Sequence, residues 1–467
     1  MTTLSPRLVV AGLSGDSGKT LVCLGLCLMA KAAGAPVRAF KKGPDYIDAA
    51  WLTWASGHPA RNLDTFLMGF EGAVSSFRRQ ALPDGVNIIE GNRGLYDGSD
   101  ARGTHSTGEL AKALAAPVLL VVNATKVTRT LAACILGCQK LDAEVRIAGV
   151  VLNQVGGQRH EGVLRQAVES ICGLPVLGVL PRASGDALLP GRHLGLVTPD
   201  EHPRIGELRQ NVLGLVEGRL DFERIWAVAL RAPALGQAEA CPTGPDGQGL
   251  KVGYLRDSAF TFYYPENLEA LEAAGAELVA VSALSAAALP PDLDALYIGG
   301  GFPETHGAAL AGNRGFLESV REAAHRGLPI YAECGGLMLL SRAILWEGHS
   351  YPMAGVLPFE VQVCPSPQGH GYVLLSVDRP NPFFPQGLRL RGHEFHYSRI
   401  LLEGEPPPTA CAVERGSGCY QARDGVVVKN VLASYTHLHA LGTPEWATCL
   451  LATARTFSGK GRRLILP

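Results

Sequence analysis

A glycine-rich turn near the N-terminus has the pattern of a phosphate-binding loop. The apolar segment 7–12, a predicted strand, runs into GLSGDSGKT (residues 12–20), and an apolar, helix-like stretch follows. Glycines let such a loop fold tightly, so that its backbone N–H groups and the start of the helix surround a phosphate. We therefore predict an ATP site, with Lys19 at the terminal phosphates and the Thr20 hydroxyl on Mg²⁺. The predicted loop contacts come from Gly12, Gly15, Gly18, Lys19 and Thr20.

The spacing of this loop is one residue longer than the strict pattern, because Leu13 stands where the first glycine belongs. Partitioning-type ATPases carry an additional lysine near the loop start, where this chain has Ser14. Partner switching on a membrane or on DNA is therefore disfavoured. The spacing instead resembles that of dethiobiotin synthetase, which activates a carboxylate with ATP.

Acidic residues follow two further predicted strands. KKGPDYID (41–48) comes after the strand at 36–40, and EGNRGLYDG (90–98) begins at the end of the strand at 86–90. Ligands of open α/β sheets bind beyond the carboxyl ends of the strands, so both motifs should meet the phosphate loop. Carboxylates suit Mg²⁺ and lysines suit phosphates, and we expect these acids to be exposed at a ligand site. Asn153, which ends a later strand, is a candidate for contact with the nucleotide base.

A second reactive group is predicted at Cys334. The segment PIYAECGGLMLL (329–340) reads as a strand, a sharp turn and a helix, an arrangement that should expose the sulfur at the turn. We predict that His437 is the base that deprotonates the Cys334 thiol. The amides of Gly300 and Gly301 could form an oxyanion hole. Many class I glutaminases place an acid two residues after this histidine, but here that residue is His439. We therefore expect a Cys–His pair whose orienting group is unidentified.

The segment from Arg391 to Tyr397 places two histidines around a glutamate and resembles a zinc motif. The pattern is HExH rather than HExxH, so a helical turn would not bring both histidines to one face. Because the flanking residues read as a strand, we favour a structural or substrate-facing role for His393 and His396.

The organisation of the chain predicts two α/β domains. The first half alternates helical stretches with apolar strands at 7–12, 36–40, 86–90, 117–122, 147–153 and 175–181. This alternation indicates a parallel sheet covered on both faces. The Pro- and Gly-rich segment 233–249 reads as a linker, which divides the chain into domains 1–232 and 250–467. Further strands are predicted at 251–255, 294–301 and 329–333, and near 355–361, 370–377 and 426–433.

Composition excludes several classes of partner. The formal charge is -1, so no global field recruits nucleic acid or an anionic membrane. The longest apolar run, 21–30, is half a membrane span, and no signal peptide is recognisable. Eleven cysteines without a CxxC pair indicate a reduced, cytoplasmic protein. We expect small-molecule partners only, and the oligomeric state stays open, with a homodimer as one alternative.

These motifs together resemble the cobyrinic acid a,c-diamide synthase family over nearly the whole chain. The resemblance rests on SGDSGKT, KKGPDYID, EGxxGLYDG, RHLGL (192–196), AFTFYYPENL (259–268), IGGGFPE (298–304), YAECGGLM, GHEFHYS (392–398) and SYTHLH (434–439). It implies a P-loop, dethiobiotin synthetase-like ATPase joined to a class I glutamine amidotransferase-like domain. It also implies Mg²⁺- and ATP-dependent amidation of the a and c acetates of a corrin. The resemblance assigns Asp45, Asp48, Glu90 and Asp97 to metal or substrate, Cys334 to the nucleophile and His437 to its base. Of these acids, we expect Asp45 and Glu90 at the metal with Thr20, and Asp48 and Asp97 at the substrate.

One departure from the family pattern bears on the substrate. The family form around the third strand is close to EGVMGLYDG, whereas this chain has Asn92 and Arg93 in the place of Val-Met. Arg93 could pair with an additional ring carboxylate, or it could be solvated or paired with Asp97 or Asp100. A sirohydrochlorin-type ring or sirohaem therefore stays open as the substrate. A switch-type NTPase whose C-terminal half only binds a partner is the alternative of another class.

Overall fold

The computed structural model describes residues 5–182, 191–192, 195–202, 204–236 and 247–463. The chain divides into two compact units, Met1–Ala240 and Cys241–Pro467. The division falls within the segment 233–249, of which residues 237–246 lie outside the described part of the chain. Two residues of the RHLGL stretch, 193–194, also lie outside it.

The first unit is built on a seven-stranded sheet in the order β3-β2-β4-β1-β5-β6-β7. Every neighbouring pair is parallel. The strands are β1 (Arg7–Gly12), β2 (Val37–Lys42), β3 (Arg61–Leu63), β4 (Val86–Glu90), β5 (Val118–Asn123), β6 (Ile147–Val155) and β7 (Val176–Pro181). A short hairpin pairs β8 (Gly191–Arg192) with β9 (Gly195–Leu196). The helices are α1 (Lys19–Ala32), α2 (Tyr46–Ser56), α3 (Gly69–Gln80), α4 (Thr107–Ala113), α5 (Arg129–Leu141), α6 (Gln158–Ala167), α7 (Ile205–Val216) and α8 (Phe222–Leu230).

Burial explains why this sheet could be predicted from apolar runs. All residues of β1 and of β4 are buried, as expected for strands covered by helices on both faces. The predicted parallel sheet is confirmed, and each of its six predicted strands lies within two residues of an observed one. The prediction missed β3, because three residues carry no periodic signal.

The second unit has a ten-stranded mixed sheet in the order β11-β10-β12-β13-β22-β21-β20-β17-β18-β23. Its strands are β10 (Lys251–Leu255), β11 (Glu277–Val281), β12 (Ala295–Ile298), β13 (Ile330–Glu333), β17 (Gly369–Val377), β18 (Arg389–His396), β20 (Thr409–Arg415), β21 (Arg423–Val428), β22 (Val431–Ser434) and β23 (His437–Leu438). A four-stranded sheet joins β14 (Ala343–Trp346), β15 (His349–Pro352), β16 (Glu360–Val363) and β19 (Ser398–Leu401). The helices are α9 (Pro265–Ala273), α10 (Gly307–Gly312), α11 (Arg314–Arg326), α12 (Gly335–Leu340) and α13 (Glu445–Arg463).

Alternation along the central strands divides the core of the second unit between the two faces of the sheet. Leu296 and Ile330 pack in one apolar cluster, whereas Tyr297 and Tyr331 pack with Trp446 in the other. This follows from the period of two in a strand.

Two strand predictions in the second unit were wrong. Residues 355–359 form no strand, and β16 begins only at Glu360. The single strand predicted near 426–433 is an antiparallel pair, β21 and β22, joined by a tight turn. The two-residue turn, Lys429–Asn430, is too short to separate the apolar residues on either side of it into two periodic segments. Within the described ranges, no helix has both the length and the apolar character needed to cross a membrane.

Candidate functional site

The phosphate loop joins β1 to α1, and two of its three glycines are required by close packing. At Gly18 the backbone φ is 95°, and a Cβ there would lie 2.1 Å from the Asn153 side-chain nitrogen. A Cβ at Gly12 would lie 2.8 Å from Ser17 Oγ, whereas one at Gly15 would meet nothing within 4 Å. Gly12 and Gly18 are therefore structural requirements of the tight turn, and Gly15 is a candidate for close approach by a ligand.

Lys19 and Asn153 hold the two sides of this loop. Lys19 Nζ donates to the Ser14 carbonyl at 2.9 Å, and Asn153 Nδ2 donates to the Ser17 carbonyl at 2.9 Å. Burial, and then the charge of Lys41, lower the pKa of Lys19. Asn153 Oδ1 accepts from the backbone N–H of Gln154, which orients the side chain whose Nδ2 braces the loop. Its contact with a nucleotide base stays a prediction.

A buried ionic cluster lies beside the loop. Glu90 Oε1 accepts from Thr20 Oγ1 at 2.8 Å and from Lys41 Nζ at 2.9 Å, and Lys41 also contacts Asp48 Oδ2 at 2.5 Å. Strand register explains the grouping, because Glu90 pairs with Lys41 on β2 and with Val10 on β1.

Burial decides the electrostatics of this cluster. The expectation that Glu90 is exposed was wrong, since it is 0% exposed. Burial raises the pKa of Glu90, with Lys41 opposing the shift. Burial by itself would lower the pKa of Lys41, but the Asp48 and Glu90 carboxylates raise it overall. Lys41 is therefore held as a cation between two acids.

The donor set fits a magnesium ion at Thr20 and Glu90. Glu90 Oε2 is buried and has no hydrogen-bond partner among the described residues. A hydroxyl and a carboxylate oxygen are ligands that Mg²⁺ accepts in nucleotide sites. In the same described part of the chain, no cluster of three His, Cys, Asp or Glu side chains could hold a metal. A metal here would depend on few protein ligands, as is usual where substrate phosphates complete the shell.

Asp45 lies at the N-terminus of α2 rather than in the ionic cluster. Its Oδ1 accepts from the backbone N–H of Asp48 at 2.7 Å, which caps the helix. Burial, and then the charge of Asp48, raise the pKa of Asp45 to about 7. The structure thus brings Asp48, not Asp45, into contact with Lys41. The metal role of Asp45 and the substrate role of Asp48 stay predictions.

The motif at 90–98 lies against the phosphate loop, so the predicted convergence of the strand-end motifs is confirmed. The N–H of Leu95 donates to the Gly12 carbonyl at 2.7 Å. Asp97 is occupied locally, since its Oδ2 accepts from the Gly94 N–H at 2.8 Å. Arg93 is exposed and adopts a φ of 49°. In the described ranges its guanidinium forms no ion pair with Asp97 or Asp100. The local pairing considered for Arg93 is therefore not formed.

Cys334 occupies the turn between β13 and α12. Its backbone has φ 48° and ψ -100°, which an L-residue rarely adopts and which the surrounding structure must impose. The expectation of an exposed sulfur was wrong, because Cys334 is only 6% exposed. Burial raises the pKa of its thiol. The thiol therefore needs a neighbouring base to become a nucleophile.

The predicted base and oxyanion hole lie at the same end of the sheet as this turn. The N–H of Cys334 donates to the Ser434 carbonyl at 2.7 Å, which ties the turn to the strand leading to His437. A Cβ on Gly300 would lie 2.6 Å from His437 Cε1, and a Cβ on Gly335 would lie 3.0 Å from the Gly301 nitrogen. The Gly300–Gly301 turn therefore lies against both the imidazole and the Cys334 turn. The oxyanion role of the two amides stays a prediction.

Sequence reasoning missed a carboxylate beside His437. Glu333, the residue before Cys334, has Oε2 3.3 Å from His437 Nδ1. An acid that ends an otherwise apolar, buried strand was the available signal. The residue in the usual acid position, His439, instead lies 3.6 Å from Glu266.

The HExH segment lies on β18, where alternation directs its side chains to opposite faces. His393 pairs with His437 across the strands and stacks on it, with ring centroids 5.0 Å apart. Burial lowers the pKa of His393 well below its ordinary value. Glu394 accepts from two backbone N–H groups, those of Ser417 and Gly418. His393 therefore contacts the proposed base, whereas Glu394 anchors a loop.

Comparison with known proteins assigns both halves of the chain to one family. Sequence models of the CobQ/CobB/MinD/ParA nucleotide binding domain and of the CobB/CobQ-like glutamine amidotransferase domain match residues 8–197 and 251–445. The cobyrinate a,c-diamide synthase of Magnetococcus marinus is 43% identical over 451 residues, which cover 95% of this chain and 96% of that protein. The chain belongs to the cobyrinate a,c-diamide synthase family.

Other members of the cobyrinate a,c-diamide synthase family match at similar length. The enzyme of that name from Archaeoglobus fulgidus is 40% identical, covering 93% of this chain and 94% of its own. The enzyme of that name from Dehalococcoides mccartyi is 38% identical, covering 97% of this chain and 99% of its own. Among solved structures, one titled as a glutamine amidotransferase aligns with 44% of this chain and 98% of its own, at 24% identity and a TM-score of 0.34.

Proposed function

We propose that this chain uses ATP and glutamine to amidate the a and c acetate carboxylates of cobyrinic acid. The observation that carries the proposal is the presence of two different reaction centres in one chain. One is a phosphate loop flanked by the Thr20–Glu90 pair, and the other is a strained cysteine turn that packs, as His437 does, against Gly300–Gly301. Relatives that match both halves bear the name of this reaction. We assign ATP-dependent amide formation to residues 1–232 and glutamine hydrolysis to residues 250–467.

In the glutaminase half, His437 removes the proton from the Cys334 thiol. The thiolate attacks the carboxamide carbon of glutamine, and the amides of Gly300 and Gly301 stabilise the resulting oxyanion. His437 then gives its proton to the leaving nitrogen, so that ammonia departs and a glutamyl thioester remains. Water hydrolyses the thioester and restores the thiol. Because burial raises the pKa of Cys334, this cycle depends on the proton transfer to His437.

In the ATP-dependent half, an acetate oxygen of the ring attacks the γ-phosphate and releases ADP. Lys19 and the loop amides hold the phosphates, so that the attacking and leaving oxygens are kept in line. Ammonia then attacks the acyl phosphate carbon, and phosphate leaves as the amide forms. Thr20 and Glu90 would hold Mg²⁺, which when bound neutralises charge on the phosphate oxygens. Glu90 Oε2, which is buried and has no hydrogen-bond partner in the described part of the chain, supports this assignment.

Arg93 is the residue we assign to ring selection. Its exposed guanidinium carries no local ion pair in the described ranges, so it is available to bind a carboxylate with two hydrogen bonds. We also assign Asp48, in the motif 41–48, and Asp97, in the motif 90–98 that contains Arg93, to substrate binding. A ring with additional carboxylates, such as sirohydrochlorin, is therefore the competing substrate to test.

The experiment is a substrate panel with purified protein. Cobyrinic acid, its metal-free form, sirohydrochlorin and sirohaem are each incubated with Mg²⁺, ATP and glutamine labelled at the amide nitrogen. We expect two labelled amides on cobyrinic acid by mass spectrometry. Cys334→Ala should lose the reaction with glutamine but keep it with ammonia. Glutamine-dependent amidation by Cys334→Ala would refute the nucleophile. ATP hydrolysis without any glutaminase activity would instead support a switch-type NTPase.

A further inference from the structure

Glu333 is a buried carboxylate that ends β13, immediately before Cys334. It is 0% exposed and lies on the sheet face that also carries Tyr297 and Tyr331. A buried carboxylate without compensation is costly, so its partners indicate why it is tolerated. Across the described ranges, no lysine or arginine lies within ion-pair distance of Glu333, and its one basic neighbour is His437.

We propose that Glu333 is the positioning residue that orients His437 in the glutaminase site. Its Oε2 lies 3.3 Å from His437 Nδ1, so it accepts the Nδ1–H and leaves Nε2 as the basic nitrogen. The opposite edge of the ring, Cε1 and Nε2, faces Gly300 beside the Cys334 turn. The carboxylate also stabilises the imidazolium that forms when His437 takes the thiol proton. This inference rests on the proposed function.

The neighbours of Glu333 direct hydrogen-bond donors at both of its oxygens. The N–H of Leu438 donates to Oε1 at 3.0 Å, and the Tyr297 hydroxyl lies 3.2 Å from Oε2. Asn267 Nδ2 donates to that hydroxyl, so the Tyr297 proton is directed at Glu333. Burial raises the pKa of Tyr297 well above its usual value, which keeps the hydroxyl protonated. Every contact to Glu333 is thus a donor, as an acceptor-only carboxylate requires.

The position two residues after His437, where many class I glutaminases have the orienting acid, is a histidine in this chain. His439, two residues after His437, accepts the N–H of Leu441 through Nδ1 at 3.2 Å. Its Nε2 is directed toward Glu266, 3.6 Å away. His439 therefore supplies no carboxylate to His437. Glu333 supplies one from a neighbouring strand, because β13 and β22 pair in parallel with Glu333 opposite Ser434.

The test compares Glu333→Gln with wild type in glutamine hydrolysis and in ammonia-dependent amidation. A glutamine side chain can direct its NH₂ group at Nδ1 and favour the wrong imidazole tautomer. We expect the glutaminase kcat to fall on the order of 10²- to 10⁴-fold while the KM for glutamine and the ammonia-dependent rate stay unchanged. In a His437→Ala background the same substitution should cost nothing further, because the two residues act as a unit. A merely structural role would lower activity in that background as well.

The matched control is Glu266→Gln, which neutralises another buried glutamate beside a histidine of the same segment. It should leave the glutaminase kcat close to wild type. If Glu333→Gln fails to fold, Glu333→Asp replaces it, since the shorter side chain withdraws the carboxylate from Nδ1 and should lower kcat with KM kept. A wild-type kcat in a folded Glu333 variant would overturn this proposal alone. Glutaminase activity in Cys334→Ala would instead overturn the proposed function.

Discussion

Removing the charge of Lys41 should destabilise the first unit far more than removing a comparable surface charge. Lys41 Nζ contacts Glu90, Asp48 and the Gly91 carbonyl, and its side chain is 2% exposed. In Lys41→Met the Glu90 carboxylate, 1% exposed, would keep only the Thr20 hydroxyl as a partner. Breaking a buried pair in this way costs about 3–5 kcal/mol.

The matched control is Lys112→Met in the same unit. Lys112 also contacts several carboxylates, those of Glu109 and Asp142 at 2.8 Å, but its side chain is 23% exposed. Partly exposed pairs contribute at most about 1 kcal/mol each. The two substitutions therefore make the same chemical change and differ in burial.

Thermal unfolding followed by calorimetry measures the difference. The transition of the first unit is identified in wild type by its upward shift with Mg²⁺ and ATP, because a ligand of the folded state stabilises it. At ~2–4 °C per kcal/mol, Lys41→Met should lower that transition by roughly 6–20 °C and Lys112→Met, which loses two such pairs, by at most about 8 °C. Adding Glu90→Gln to Lys41→Met should restore part of the loss, since the amide needs no counter-charge.

The pH dependence gives a second check on the same variant. Burial already raises the pKa of Glu90, and losing Lys41 should raise it further. An acid with a raised pKa in the folded state loses stability as the pH rises, so the defect of Lys41→Met should grow upward from about pH 4.5. Equal melting shifts for Lys41→Met and Lys112→Met, or a defect independent of pH, would refute the reasoning.

Three further predictions concern the two reaction centres. Lys19→Ala should lower amidation on the order of 10²- to 10³-fold with either nitrogen source while glutaminase activity persists, and near-normal rates with ammonia would contradict the phosphate-site assignment. Arg93→Met should raise the KM for the native ring about 10- to 100-fold and change the ratio of kcat/KM between cobyrinic acid and sirohydrochlorin. An unchanged ratio would assign ring choice to other residues. His393 is buried with a depressed pKa, so the free energy of unfolding of wild type should fall by up to ~1.4 kcal/mol per pH unit below about pH 6.5. His393→Gln should therefore lose less melting temperature than wild type between about pH 7 and about pH 5. If the melting temperatures of wild type and His393→Gln fall equally over this pH range, His393 is not the source of the acid destabilisation.

Local motifs were enough to predict the parallel sheet and the phosphate loop. Six of the seven strands contain recognisable apolar segments, and the loop contains its glycines, its lysine and its threonine within nine residues. The same holds for Cys334, whose strand, turn and helix are adjacent in the chain. Such motifs can be recognised from sequence because the residues that form them are close together along the chain.

Burial and partner choice were not predictable in the same way. Glu90 reads as a strand-end acid, but covering helices and the pairing of β4 with β2 bury it against Lys41. Cys334 was expected to be exposed and is not. Whether a side chain at the end of a strand reaches solvent depends on the neighbouring strands and loops, which the motif itself does not contain.

By itself, the sequence determined the reaction class and the residue types that would perform it, because those motifs are short and their chemistry is local. Only the tertiary structure decided which carboxylate serves His437. Glu333 and His437 are separated by 104 positions, and parallel pairing of β13 with β22 brings their side chains within 3.3 Å. Likewise, Asp48 rather than Asp45 contacts Lys41. Asp45, the residue immediately before α2, uses its carboxylate to cap that helix. Contacts between distant strands are set by sheet order and register, and neither is encoded in a local pattern.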